Sequence, residues 1–126
     1  MKTMFDNKNK PKGLKRIYLA SLNSFRAFQW LLKNESAFRQ ESLMLAASIP
    51  ITFLFNISHV ERLTLVISII FVIFTEVINT AIEAIVDRVG LEIHPLSGLA
   101  KDLGSAAVLL SIVITTGIWL IILLDQ

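Results

Sequence analysis

The sequence predicts an all-α membrane protein with one amphipathic surface helix and three membrane-spanning helices in each protomer. Three observations lead to this fold class. The 126-residue chain is 54% hydrophobic and only 17% charged, whereas a soluble domain has about 45–50% apolar and about 25% charged residues. Its mean hydropathy is +0.66. The apolar residues are concentrated in three blocks that carry almost no charge.

The first predicted element is an amphipathic helix over residues 14–33. Apolar side chains recur there at helical spacing, and most basic side chains lie elsewhere around the helix. This mixture of aromatic and basic residues is typical of a helix that lies on a membrane surface. The residues before it are polar and rich in lysine. We therefore expect a disordered basic tail at residues 1–12 and a single membrane domain at residues 13–126.

Three stretches, residues 42–58, 63–75 and 106–124, carry no charged side chain. A helix rises 1.5 Å per residue and the hydrocarbon core is about 30 Å thick, so about 20 residues cross it. The third block fits directly, and the second fits when its apolar character is followed to residue 86. The first fits if Asn34 is the N-cap of its helix. The expected spans are residues 35–58, 63–86 and 104–124.

The basic residues are distributed unevenly along the chain. Residues 1–41 hold nine of the twelve Lys and Arg residues against three acids, a net charge of +6. Because cytoplasmic segments are enriched in Lys and Arg, the N-terminus and the loop at residues 87–101 are predicted to face the cytoplasm. A basic head that precedes apolar spans favours a surface of anionic lipid over nucleic acid, since no nucleic-acid-binding motif follows it.

Several classes of site and protein are excluded or disfavoured by what the sequence lacks. It has no cysteine and two histidines, which excludes disulfides and disfavours a structural zinc site. It has no phosphate-binding loop and no protein-kinase motif. A cleaved signal peptide would not begin about forty residues into the chain. Core helices of a soluble protein do not need 19 uncharged residues in a row.

Four polar side chains interrupt the second apolar block at helical spacing. Glu76, Asn79, Glu83 and Asp87 fall within one helical stripe about 80° wide. A carboxylate at membrane depth costs roughly 2.5–3.5 kcal/mol, so two on one stripe indicate a shared polar cavity. One interpretation is a general base at Glu76 and a metal ligand at Glu83, with Asn79 orienting a neighbour. The alternative is interhelical hydrogen bonding that fixes an oligomer.

Further polar residues flank this stripe, and each allows two interpretations. Lys101 and Asp102 could hold phosphate, metal or nucleotide, or form a solvated flank of the third span. His94 is either an ordinary loop histidine or a ligand. Glu35 and Glu41 are either acids that stabilise a helix start or partners of the second span's acids around Mg²⁺.

Three strings carry a resemblance to a known family: EsAFRQE at residues 35–41, EviNtAIEaivDRvG at 76–90 and EiHpLSGlAKDlGSAAVLL at 92–110. The chain resembles the prokaryotic integral-membrane diacylglycerol kinases, and its strings look more like the diacylglycerol branch than the undecaprenol kinase branch. The resemblance implies a homotrimer with composite active sites in the bacterial inner membrane. It also implies transfer of the γ-phosphate of Mg·ATP to diacylglycerol at the cytoplasmic interface, which gives phosphatidic acid.

The resemblance also implies roles for individual residues. Glu76 would be the general base on the lipid hydroxyl, supported by Asn79, and Glu35 and Glu83 would bind Mg²⁺. The implied nucleotide contacts are Arg16, Asn23, Glu35, Glu83, Glu92, Ile93, His94, Lys101 and Asp102. The implied lipid contacts are Arg16, Ser21, Ser24, Phe25, Phe38, Arg39, Glu41, Glu76, Ser105 and Trp119. The chain departs from the family at Ile93 and Leu99, where tyrosine and arginine are frequent, and at residues 23–27.

Two functions of other classes remain open on the residues alone. In a small oligomeric channel, the stripe that contains Glu76 and Glu83 would line a pore between protomers. In a membrane anchor or assembly protein, the same acids would serve packing only. A kinase requires Glu76 for phosphorylation, whereas an anchor requires it only for stability.

Overall fold

The computed structural model describes residues 9–126, and all of its regular structure is helical. Four helices follow in chain order: α1 (Gly13–Asn34), α2 (Ser36–Thr52), α3 (His59–Val89) and α4 (Pro95–Leu124). The predicted all-α fold class is confirmed. Residues 1–8 of the predicted tail lie outside the described residues. The chain divides into two compact units, Met1–Arg39 and Gln40–Gln126.

The first unit consists mainly of α1, whose bounds agree closely with the predicted amphipathic helix. Large apolar side chains of α1 are exposed, among them Leu14, Ile17 and Phe25, as expected for a helix that contacts lipid. The helix ends because Glu35 has extended backbone angles of φ −115° and ψ 110°. The guanidinium of Arg39 then donates to the carbonyls of Leu32 (3.0 Å) and Lys33 (3.2 Å) at this end.

The junction between α1 and α2 corrects one expectation from the sequence. Asn34 is the last residue of α1, and its side-chain amide donates to the carbonyl of Trp30, so it is not the N-cap of the next helix. The rings of Phe28 and Phe38 stack with centroids 6.2 Å apart. Phe38 and Leu31 are buried. This apolar contact and the Arg39 bonds stabilise the corner.

The second unit contains the two longest helices. By length and composition, α3 (31 residues, hydropathy 2.3) and α4 (30 residues, hydropathy 2.7) are able to cross a membrane. Both are longer than the expected spans because polar turns extend them. Helix α2 has 17 residues, or about 26 Å at 1.5 Å per residue, and it ends six residues before the end of the expected first span. Its crossing of the membrane stays a prediction.

Polar caps define where α3 and α4 begin. The Ser58 hydroxyl accepts from the Glu61 amide and the Glu61 carboxylate accepts from the Ser58 amide, which forms a capping box. The Arg62 guanidinium lies 4.3 Å from the centroid of the Phe53 ring and so links the preceding turn to α3. His94 caps α4, since its Nδ1 accepts from the Leu96 amide at 3.1 Å.

Helices α3 and α4 pack as an antiparallel pair joined by hydrogen bonds. The hydroxyls of Thr75 and Ser111 lie 2.9 Å apart, and Thr115 Oγ1 donates to the Ser68 carbonyl at 2.9 Å. The indole N–H of Trp119 is directed at the Ser68 hydroxyl and at a backbone carbonyl of α3. Small residues with hydroxyl groups allow such close pairing inside a membrane. These bonds hold α3, which carries the polar stripe, against α4.

Candidate active site

The predicted polar stripe runs along α3 from a buried to an exposed end. Glu76 and Asn79 are each only 8% exposed, Glu83 is half-buried, and Asp87 is exposed. The Asn79 side-chain amide donates to Glu83 Oε1 at 3.4 Å. A single helix therefore presents a buried carboxylate, an oriented amide and a second carboxylate in succession.

Helix α2 brings a third carboxylate to the buried end of the stripe. The Glu41 side chain is half-buried, and its Oε2 atom is buried without a hydrogen-bond partner. The negative charge of Glu76 acts directly on the Glu41 carboxylate. Glu41 therefore lies near one acid of the second predicted span, and its sharing of Mg²⁺ with these acids stays a prediction. Two neighbouring carboxylates in a low-dielectric setting create a strong demand for a proton or a cation.

At the exposed end, α3 and α4 are joined by an ion pair. Lys101 Nζ lies 2.9 Å from Asp87 Oδ1, and their side chains are 45% and 51% exposed. The hydrogen bond to Asp87, that carboxylate's charge and the charge of Glu83 together raise the pKa of Lys101. Lys101 is therefore a fixed cation at the end of the stripe. Asp87 had no functional role in the sequence interpretation, although its spacing placed it on the stripe.

A cleft of about 230 Å³ opens beside this ion pair, in the turn between α3 and α4. Its lining includes Asp87, Lys101, Glu92, Ile93 and His94. Four of the predicted nucleotide contacts are therefore together in one place. Asp102 and Ser105 do not line this cleft; both are exposed on the first turns of α4.

An apolar groove begins at the other end of the stripe. Two connected cavities of about 270 and 400 Å³ share Met44, Ile69, Thr115 and Thr116. The first reaches Glu41 and the second reaches Trp119. Two of the predicted lipid contacts, Glu41 and Trp119, thus lie on one continuous, mainly apolar surface.

The predicted contacts in the first unit lie along α1 and at its end. Arg16, Ser21, Ser24 and Phe25 line one shallow groove of about 480 Å³. Both serine hydroxyls donate to carbonyls of their own helix. The amide oxygen of Asn23 accepts from the guanidinium of Arg26.

Most of the chain matches one known protein family. The sequence model of the family described as prokaryotic diacylglycerol kinase matches residues 22–123. The chain belongs to the prokaryotic diacylglycerol kinase family. The resemblance stated from the sequence strings is therefore confirmed, and so is the prediction that the chain is an enzyme of the kinase class.

Curated members of the diacylglycerol kinase family are similar over almost their whole length. A diacylglycerol kinase of Escherichia coli strain K12 is 40% identical over 115 residues, which cover 91% of this chain and 94% of that protein. One from Pseudomonas aeruginosa is 44% identical over 112 residues, or 89% and 91% of the two chains. One from Haemophilus influenzae is 36% identical over 110 residues, or 87% and 93%.

A kinase of this family implies a nucleotide donor and usually a metal ion. Within residues 9–126, no group of three or more His, Asp and Glu side chains is close enough to hold a metal ion. The donor chemistry nonetheless fits Mg²⁺, which commonly binds one or two carboxylates together with phosphate oxygens and waters. Glu83 offers such a carboxylate, held on one oxygen by Asn79. Metal binding by Glu35 and Glu83 stays a prediction.

Proposed function

We propose that this chain transfers the γ-phosphate of Mg·ATP to the hydroxyl of diacylglycerol and releases phosphatidic acid and ADP at the cytoplasmic membrane interface. The observation that carries the proposal is the buried Glu76 carboxylate beside the Asn79–Glu83 pair. On one side of these residues is a cleft with a fixed lysine, and on the other is an apolar groove. Transfer of phosphate to a lipid requires a polar site for the phosphate donor on one side of the reacting groups and an apolar surface for the acyl chains on the other.

Phosphoryl transfer depends on positioning, on neutralisation of phosphate charge and on a base for the acceptor. The lipid hydroxyl attacks the γ-phosphorus while its proton passes to Glu76, and the bond from the γ-phosphorus to the bridging oxygen breaks. Lys101 neutralises charge on the phosphates, and the ion pair with Asp87 holds its ammonium group in place. Glu83 and Glu35 would hold Mg²⁺, which would supply further neutralisation of phosphate charge when bound.

The remaining predicted contacts have simple physical roles in this proposal. Arg16 and Asn23 on α1 contact nucleotide, and Glu92, His94 and Asp102 contact it from the turn and α4. The lipid headgroup lies near Ser105 and near the face of α1 that contains Phe25. The acyl chains follow the groove from Glu41 and Met44 towards Trp119, whose lining is mainly apolar.

We also propose that the chain is a bacterial inner-membrane protein with a cytoplasmic N-terminus and that it forms a homotrimer. Large apolar side chains are exposed on all four helices, among them Leu43 on α2, Phe74 on α3 and Leu110 on α4. Lipid and neighbouring copies of the chain would cover these surfaces. Composite sites would then combine residues of more than one protomer.

The test is phosphate transfer from labelled Mg·ATP in mixed micelles, with dioleoylglycerol and undecaprenol offered separately. We expect label on the glycerolipid and a loss of about 10²–10⁴ in rate for Glu76→Gln. Glu61→Gln is the matched control, because it neutralises a carboxylate of the same helix while glutamine preserves the capping box.

Other outcomes of this assay lead to different conclusions. Label mainly on the polyprenol would keep the kinase and change its substrate. No label on either lipid, from protein of normal oligomer size, would favour the channel or anchor. Near-normal turnover in Glu76→Gln would show that Glu76 is not the base.

A further inference from the structure

Helices α3 and α4 approach most closely where Gly104 meets Asn79. Gly104 is buried. A Cβ atom added to Gly104 would collide with the Asn79 side-chain oxygen and would lie 3.3 Å from Asn79 Cγ. Among the described residues, only Gly13 has a φ angle in the left-handed region. Gly104 is therefore required for space and not for an unusual backbone conformation.

The Asn79 amide is held between two neighbours of different chemistry. Its oxygen faces Gly104 and is buried without a hydrogen-bond partner. Its nitrogen donates to Glu83 Oε1. The backbone Cα–H of a glycine tolerates an amide oxygen against it and forms a weak hydrogen bond of the type common at helix interfaces. If the amide were reversed, its oxygen would face the Glu83 carboxylate and would be repelled.

We propose that Gly104 is a positioning residue for the phosphoryl-transfer site. The absence of a side chain at this position lets α4 hold the Asn79 amide in the one orientation that directs its N–H group at Glu83. Gly104 acts on the carboxylate only through Asn79 and touches no substrate. The inference rests on the proposed function, since it takes Glu83 to be the carboxylate on the metal and phosphate side.

Gly104→Ala should disturb Glu83 without removing any functional group. The added methyl displaces the Asn79 amide, and Glu83 loses the donor that orients it. Removing such an outer-shell partner typically lowers metal affinity or activity by about 10–100-fold. We expect the Mg²⁺ concentration for half-maximal rate to rise by about tenfold in Gly104→Ala.

Gly117→Ala is the matched control, because it makes the same substitution in the same helix. A Cβ atom at residue 117 would meet nothing within 4 Å. We expect this variant to retain the Mg²⁺ requirement of the unmodified protein. Binding of Mn²⁺ with a non-hydrolysable ATP analogue, followed by calorimetry, is the readout that does not depend on turnover. It should weaken in Gly104→Ala and not in Gly117→Ala.

A double-mutant cycle with Asn79→Ala isolates the proposed contact. Once the amide is absent, the methyl of Gly104→Ala has nothing to displace, so adding it should weaken Mn²⁺ binding no further. If Gly104→Ala alone fails to fold, the double variant should recover the fold, which the oligomer size would report. Failure of the double variant to recover it would overturn the proposal.

The remaining outcomes separate this inference from the proposed function. An unmodified protein with no lipid kinase activity would contradict the proposed function. An active protein in which both alanine variants require equal Mg²⁺ would contradict only the role of Gly104. Additive losses in the Gly104–Asn79 cycle would also contradict that role.

Discussion

Lys101 of α4 lies 2.9 Å from Asp87 of α3, fourteen residues earlier in the chain. This ion pair joins the C-terminal end of α3 to the N-terminal end of α4 at the mouth of the cleft. It makes Asp87 part of the site through its effect on the lysine. Since both side chains are about half exposed, the pair contributes little to stability, and its main effects are to fix the position of the Lys101 ammonium group and to raise its pKa.

The first prediction concerns pH. The hydrogen bond and charge of Asp87 raise the pKa of Lys101 above its ordinary value of 10.5. The ion pair is therefore intact below pH 10.5, and it is lost as the pH rises through the raised pKa of Lys101. Asp87→Asn should lower the Lys101 pKa, and the KM for Mg·ATP should begin to rise at a lower alkaline pH. Near neutral pH, where Lys101 stays charged, KM should change by only a few-fold.

The control for this pH profile is Asp125→Asn, which removes an exposed carboxylate at the opposite end of α4. Its alkaline profile should match that of the unmodified protein. Identical alkaline profiles for Asp87→Asn and the unmodified protein would show that the ion pair does not control nucleotide binding.

The second prediction concerns the hydrogen bonds between α3 and α4. Thr75→Val keeps the size of the side chain but removes the hydroxyl that bonds to Ser111. Interhelical hydrogen bonds in membranes contribute about 0.6 kcal/mol on average, so the free energy of unfolding should fall by about that amount. Unfolding in mixed micelles with increasing denaturing detergent measures the change.

Thr64→Val is the matched control for this bond. The Thr64 hydroxyl is exposed and donates only to a carbonyl of its own helix, that of Val60. Thr64→Val should therefore lower the free energy of unfolding by less than Thr75→Val does. Equal losses in both variants would mean that the bond between the helices adds nothing to the bond within a helix.

The sequence was sufficient to predict the helices because their apolar blocks and helical periodicity are local features. The bounds differ where capping extends a helix into polar sequence: α3 begins at His59, after the Ser58 capping box, and α4 begins at Pro95, after His94. Helix α2 ends at Thr52, although the uncharged block continues to residue 58. Absence of charge alone does not distinguish an apolar turn from an apolar helix.

The polar stripe was predictable for the same reason, since its spacing lies within one helix. The contacts between helices were not. The pairing of Asp87 with Lys101 and the contact of Asn79 with Gly104 both depend on the register between α3 and α4. That register is set by the packing of small and hydroxyl-bearing residues over the whole interface, which one sequence does not specify.

The third prediction concerns the neighbouring carboxylates of Glu41 and Glu76. Glu41→Gln replaces one of two neighbouring carboxylates in a partly buried setting, and this relieves like-charge repulsion. We expect the free energy of unfolding to rise by roughly 1 kcal/mol while the rate of lipid phosphorylation falls, as is common when a strained active site is relaxed. Unfolding and turnover are measured on the same preparation.

Glu61→Gln again serves as the reference for neutralising a carboxylate of the second unit, because its capping role survives the change. It should alter neither quantity appreciably. A Glu41→Gln variant that is less stable than the unmodified protein would show that the Glu41 charge is compensated in the fold.

The last prediction tests the apolar groove as an acyl-chain site. Ala47 lines its outer cavity, so Ala47→Phe should fill part of it. Discrimination by apolar pockets amounts to about 10–200-fold for a chain that no longer fits. We expect kcat/KM for dioleoylglycerol to fall about tenfold relative to that for dihexanoylglycerol, whose short chains do not reach the filled region.

The control is Ala46→Phe, which places the same ring on the adjacent exposed position outside the groove. It should leave the ratio of the two kcat/KM values unchanged. Equal ratios in both phenylalanine variants would mean that the acyl chains lie elsewhere on the protein.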